Sequence, residues 1–257
     1  MFTRVHARFG GAIVAAALFV GAGVQAATFN MTSFERPQLA GAQQAREDFL
    51  AGHSLKSLNV ETFEGKKAWD GTSGTRNPQN TKVGSFTSLG GTGSGHAAIN
   101  GGSGLELRGD NEMPWGRYNS DKLPLGGTYL DSNDTTGMRW DIGGLGKFNA
   151  LAFFVIDAAD VGAKFSIDVG GTLYANVLGT EGRTRNGNIQ LVTILLDEAV
   201  ESLTVKLFND RLNDGFAVDG VSVAHIAPVP LPPAAALLVT GLVGLFGAAR
   251  RRRAATA

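Results

Sequence analysis

Along most of the chain, apolar residues alternate with polar ones in short runs, the period-two pattern of strands that bury one face. The pattern is clearest in the second half. At 164–169, Phe165, Ile167 and Val169 fall on one face, and Lys164, Ser166 and Asp168 on the other. Leu203, Val205 and Leu207 alternate in the same way with Ser202, Thr204 and Lys206. Residues 151–156 are apolar without a break, which predicts a central strand buried on both faces. Residues 172–178 follow Gly170-Gly171, a hairpin signal, and further strands are expected at 188–196 and 215–223. Weaker strand signals lie at 58–63, around Ser85, at 104–108 and at 137–142. One stretch, 38–51, has helical spacing instead, with Leu39, Ala42, Ala45, Phe49 and Leu50 in step. Pro37 suits its first turn and Gly52 its C-terminal end. Such a helix is expected to cover an edge or end of the sheet. Strands at short spacing with no helices between them predict a mainly β domain built as an antiparallel sandwich.

Two long apolar runs break this pattern, one near each end. At the start, Arg4, His6 and Arg8 precede an apolar stretch at 10–23, and Val24-Gln25-Ala26 supplies small residues. That order predicts a signal peptide cut between Ala26 and Ala27. At the other end, residues 231–249 run for 19 residues without a charge. This length spans a ~30 Å hydrocarbon core as a transmembrane helix. Arg250, Arg251, Arg252 and Arg253 follow and are expected to stay in the cytoplasm, leaving the rest of the chain outside. Pro228, Pro230, Pro232 and Pro233 make a stiff linker before the run. A plain membrane anchor is one reading. Proline spacing, terminal position and the arginine cluster together favour a sorting tail. The expected organisation is therefore 1–26 signal peptide, 27–54 segment with the helix, 55–226 sandwich ectodomain and 227–257 tail.

The tail resembles the C-terminal signal of PEP-CTERM proteins, through Val229-Pro230-Leu231-Pro232, the apolar run and Arg250 to Arg253. The likeness is to the Val-Pro-Leu-Pro-Ala variant; Pro233 stands where alanine is usual, and Leu231 where the common form has Glu. Three internal motifs are similar to jelly-roll ectodomains of such proteins. They are Glu61-Thr62-Phe63-Glu64-Gly65, Phe153-Phe154-Val155-Ile156-Asp157, and Asp214-Gly215-Phe216-Ala217-Val218-Asp219 with Gly220-Val221 following. The resemblance implies a jelly-roll-type sandwich, processing by a signal peptidase and an exosortase, and passage through the inner membrane to the periplasm, cell surface or extracellular matrix.

Charge changes the picture once the ends are removed. Residues 27–229 hold 17 Lys and Arg against 23 Asp and Glu, a net charge of −6. That balance argues against nucleic acid as a partner, because phosphate neutralisation needs clustered cations. No cysteine is present, which excludes disulfides and thiolate chemistry, so stability rests on the core. Glycine, at 36 of 257 residues, implies many turns.

Candidate chemistry is sparse. The histidines at 6, 53, 96 and 225 lack metal-ligand spacing. Residues 131–137 begin like a calcium loop, but the glycine is one place late and the closing glutamate is missing; an Asx-capped turn is the simpler reading. If the first and last strands end near each other, Glu64 and Asp219 could share a structural Ca²⁺; otherwise each satisfies local backbone N–H groups. Trp115 and Tyr118, in a loop-like stretch with Arg117 and Asn119, suit stacking on a sugar ring, with core packing as the competing role. Two classes follow. One is a non-catalytic structural or glycan-interacting surface module, with extracellular polysaccharide as partner. The alternative is a secreted polysaccharide hydrolase or lyase using a carboxylate pair such as Glu106 and Asp110, or Asp131 and Asp141.

Overall fold

The structure is a computed structural model that describes residues 27–35, 38–68, 73–91, 104–109, 127–133, 135–178, 184–211 and 214–227. The segments expected to be a signal peptide and a sorting tail, with Asp110, Trp115 and Tyr118, lie outside these residues. Among these described residues the fold is mainly β, with one helix and an antiparallel open sheet. Among the described residues no helix is long and apolar enough to cross a membrane.

Two long strands organise the sheet. β6 (Gly137–Ile156) and β9 (Ile189–Asn209) pair along almost their whole length, from Gly137↔Phe208 to Ile156↔Ile189. The pairing slips around Phe148, where Gly143, Gly144 and Gly146 occupy open space. Here β6 turns back on itself. The Trp140 and Phe153 rings are 5.8 Å apart at 83°, although 13 residues of straight strand would separate them by about 43 Å.

The remaining strands add to one half or the other. β3 (Ser85–Ser88) pairs with the first half of β6. β7 (Phe165–Val169) and β8 (Thr172–Tyr174) extend the last part of β9. Gly170 and Gly171, both at positive φ, form the turn between them, as their sequence suggests. On the other half, β1 (Ala27–Phe34) pairs with the start of β9, and β10 (Ala217–Ile226) with the end of β6. β2 (Leu55–Glu61) and β5 (Tyr129–Asp131) lie along the far side of β10, and β4 (Glu106–Arg108) follows β5.

The alternation read from the sequence decides what is buried. Leu151, Phe153 and Val155 enter the main core with Phe165, Ile167, Val205, Leu207, Val218 and Trp140. Their neighbours Phe154 and Ile156 face the other way, with Ile189, Leu191 and Ala217. This second face is apolar, and α1 (Leu39–Ala51) covers it. The helix thus lies on a face of the sheet, not on an edge or end. Ala42, Arg46 and Leu50, one turn apart, are its buried residues. Gly52 follows the helix and donates its N–H to Asp48 O at 2.8 Å.

β1 falls outside every strand expected from the apolar pattern. Phe29 and Met31 alternate with Asn30 and Thr32, and Phe29 stacks on Tyr174 at 4.5 Å.

Candidate functional site

The Glu61-to-Gly65 motif makes a tight turn at the end of β2. Phe63 adopts φ 60°, and Glu61 Oε1 accepts its N–H at 2.8 Å. Phe63 is thereby turned into the core, against Phe86 at 5.7 Å. Glu61 Oε2 accepts the N–H of Lys82 at 3.0 Å, and Glu64 Oε1 accepts that of Thr128 at 2.7 Å. Both glutamates therefore cap backbone groups. They also line a polar cleft of about 560 Å³ that includes Lys66 and Lys82.

Asp219 lies behind this turn, within electrostatic reach of Glu64 and Glu61. It sits at a bulge: pairing of β10 with β6 slips between Asp219 and Ser222, and Gly220 has φ 59°. The extra residue lets Val218, Val221 and Val223 all face the main core. Asp219 is fully buried; Oδ1 accepts the Gly220 N–H at 2.6 Å, and Oδ2 has no partner. Burial pushes its carboxyl well above the ordinary value, and Glu64 and Glu61 push in the same direction, while the Gly220 N–H and Arg46 oppose them.

Arg46 ties the helix to this bulge. Its side chain donates to Gly220 O at 3.2 Å and to Ser222 Oγ at 2.6 Å. Burial pulls the guanidinium below its ordinary value, and Asp219 holds it up. Glu64 thus acts electrostatically on Asp219, whose Oδ2 has no partner, while Glu64 itself caps the Thr128 N–H. A Ca²⁺ shell needs six to eight oxygens, so main-chain carbonyls would supply most of it. Among the described residues no group of three or more His, Asp or Glu is placed to hold a metal.

A second charged cluster joins β4 and β5. Glu106 and Asp131 are cross-strand neighbours. Arg108 donates to Glu106 Oε2 at 2.7 Å and lies 3.2 Å from Asp131 Oδ2, while Arg76 reaches Glu106 Oε1 at 2.5 Å. Burial raises the Glu106 carboxyl, and the two arginines pull it back. Asp131 Oδ1 also accepts the Asn133 N–H at 2.6 Å, so residues 131–133 form the Asx turn, in a buried rather than exposed position. Asp141 is not joined to Asp131. It lies on β6, where Arg139 holds it at 2.7 Å and lowers its carboxyl.

A third place, with no forewarning in the motifs, is a cleft of about 470 Å³ between the end of β1 and the start of β9. Ser33 Oγ donates to Gln190 Oε1 at 2.5 Å, and Gln190 Nε2 donates to Asn188 Oδ1 at 2.9 Å. Phe34 lines the wall, and Glu35 and Arg185 form an exposed pair at 2.7 Å. The lining is thus an amide ladder beside one apolar ring, with its two charges neutralised. No protein-family model matches the chain, and no curated protein matches it.

Proposed function

We propose that this chain is an exported cell-surface or matrix protein whose tail is a substrate for an exosortase, and whose ectodomain is a non-catalytic, glycan-interacting module. One observation carries the reading: the three-part order of prolines, uncharged run and four arginines at 228–253, opposite a signal-peptide pattern at 1–26. The ectodomain is proposed to be a jelly-roll-type sandwich. The return of β6, which brings Trp140 and Phe153 together, supports two facing layers, as does Phe165 against Phe216 at 5.0 Å.

Glycan contact is proposed through Trp115 and Tyr118. The Ser33–Gln190–Asn188 cleft supports the same chemistry, since fixed amides offer donors and acceptors to hydroxyl groups and Phe34 offers a ring face. A structural Ca²⁺ at Glu64 and Asp219 is supported by the unpartnered Asp219 oxygen. The competing hydrolase or lyase reading would need an acid and a base free to exchange protons. Glu106 and Asp131 are instead committed to Arg108, and Asp141 to Arg139.

Intact mass of the protein from native envelopes tests the sorting. The expected species begins at Ala27 and ends within 230–233. Recovery of a species still ending at Ala257 in exosortase-competent cells would leave only a plain anchor. Retention on polysaccharide, with Trp115→Ala and Tyr118→Ala as controls, tests the glycan contact. Ca²⁺ that fails to raise the melting temperature would remove the cation.

A further inference from the structure

We infer that the cleft between the end of β1 and the start of β9 is a sugar subsite that reads a vicinal diol, with Ser33 Oγ accepting from one hydroxyl and Gln190 Nε2 donating to its neighbour. The inference rests on the glycan-interacting reading above and adds a contact separate from Trp115 and Tyr118.

The first observation is the polar end of an apolar row. On β1, Phe29 and Met31 pack against the main core, and Ser33 is the next residue on that side. On β9, Leu196, Ile194 and Val192 belong to the same core, and Gln190 follows on their side, with Asn188 two places beyond. Ser33 is opposite Gln190. Gln190 and Asn188 are only 2% and 6% exposed, so two amides are buried where the alternation calls for apolar side chains. Apolar groups of the same shape would be about as stable there, or more so.

The surrounding structure does not need the Gln190 and Ser33 side chains. Asp157 Oδ1 accepts the Gly187 N–H at 2.6 Å, the Asn188 N–H closes the turn on Arg185 O at 3.0 Å, and Thr184 Oγ1 donates to Ala158 O at 2.6 Å. These bonds hold the loop before β9. β1 is held on β9 by main-chain pairing from Ala27 to Phe34.

The direction of the side-chain bonds is forced. Asn188 lies against two main-chain carbonyls, Ala158 O and Arg185 O, both at 3.0 Å, and a carbonyl only accepts. The amide nitrogen of Asn188 therefore faces the loop, and its oxygen faces Gln190. Gln190 then presents its nitrogen to Asn188 at 2.9 Å and its oxygen to Ser33, whose hydroxyl donates at 2.5 Å. What remains on the cleft side is one N–H of Gln190 and the lone pairs of the exposed Ser33.

A donor beside an acceptor matches two hydroxyls on neighbouring ring carbons of a pyranose. One donates to Ser33 Oγ and the next accepts from Gln190 Nε2. A ligand group that only accepts, such as a carboxylate or a phosphate, leaves Ser33 unmatched. The cleft, at about 470 Å³, has the size of a small-molecule site. Because buried partners already fix the amides, little further side-chain freedom is lost when a sugar arrives.

The test uses the full chain in a detergent without sugar headgroups, with tritiated glucose, galactose and mannose in equilibrium dialysis. At least one is expected to bind. Gln190→Met keeps the shape of the side chain, and Ser33→Ala leaves the Gln190–Asn188 bond in place. Each should weaken binding about fivefold to tenfold, the loss of one matched hydrogen bond, while Trp115→Ala leaves it unchanged. Ser33, at an exposed position, keeps the test decisive should the Gln190 variant not fold. Among the 2-, 3-, 4- and 6-deoxy forms of the bound sugar, two that lack adjacent hydroxyls should bind correspondingly weakly. Binding that survives the variants overturns the cleft, and a loss at one deoxy position only, or at none, overturns the diol. If no monosaccharide binds but polysaccharide retains the unmodified chain, the same variants decide on the polysaccharide. A chain that retains neither removes the glycan reading along with the cleft.

Discussion

Arg46 fastens the helix to the sheet at the β10 bulge. Its guanidinium is buried, it reaches two groups at the β10 bulge, and its charge acts on the buried Asp219. Arg46→Ala removes both donors. The Gly220 carbonyl and Ser222 hydroxyl are left without this partner beneath the helix, at about 1–3 kcal/mol for each group that stays unsatisfied. It also removes a positive charge that holds the Asp219 carboxyl down, although no ion pair joins the two side chains. The desolvation that Arg46 itself suffers is relieved, which offsets part of this. A net loss of about 2–3 kcal/mol is expected, a large share of the stability of a single domain.

Urea denaturation of residues 27–227, followed by tryptophan fluorescence and by far-ultraviolet dichroism, gives the number. A double-mutant cycle gives the reason. Asp219→Asn removes the charge that Arg46 faces, so the double variant should recover at least about 1 kcal/mol relative to additivity. A loss under about 1 kcal/mol for Arg46→Ala would show that water replaces the guanidinium at the bulge. Strict additivity would show that the Asp219 charge and Arg46 are not coupled, and that only the hydrogen bonds at Gly220 and Ser222 count.

Other outcomes are expected from the same structure. Trp140→Phe keeps the stack on Phe86 but strips Val83 O of its indole donor at 2.9 Å, and should cost about 1–3 kcal/mol in the urea series; Trp140→Ala should cost about 3–5. Gly137→Ala places a Cβ on Leu207 O and Phe208, and should prevent stable folding, whereas Gly144→Ala meets open space and should cost only about 1 kcal/mol for its positive φ. Burial raises both Asp214 and Glu106, so each holds its proton more tightly when folded than when unfolded. Their contribution is greatest below the ordinary carboxylate range and is lost as pH rises from there through the raised values, with a slope of at most about 1.4 kcal/mol per pH unit per group. Asp214→Asn should flatten the decline of the urea midpoint with rising pH; a slope unchanged by the variant would refute that assignment.

Much of the sheet was legible because one side of each strand meets the core and the other meets water. Phe165, Ile167 and Val169 point inward as their spacing requires, and the unbroken run at 151–156 is covered on both faces. Two features resisted. The stretches 188–196 and 201–208 read as separate strands because Asp197, Glu198 and Glu201 interrupt the apolar pattern; the chain stays extended there while it bends between the two halves of the sheet. β1 gives a weak local signal because four of its eight residues are Thr, Asn or Ser, and its alternation is carried chiefly by Phe29 and Met31. It is held by β9 and by Tyr174, partners more than 140 positions away in the chain, which local pattern does not register.

The candidate sites were legible to different depths for the same reason. Glu64 acts electrostatically on Asp219 because their motifs follow the end of one strand and lie within its antiparallel neighbour, an adjacency that a guess at topology captures. Arg46 was hidden by its type: an arginine on a helix reads as a solvated face until the helix is seen to lie over a bulge that leaves a carbonyl exposed to it. Glu106 and Asp131, each placed in a different candidate pair, pass for free acids in a sequence, because a carboxylate carries no mark of its partner. Arg108 stands two places after Glu106, on the same face of a three-residue strand, and that spacing was the available signal. The Ser33–Gln190–Asn188 ladder had no signal at all. Its members are common polar residues, and only the pairing of β1 with β9, Ser33 opposite Gln190, turns them into one wall.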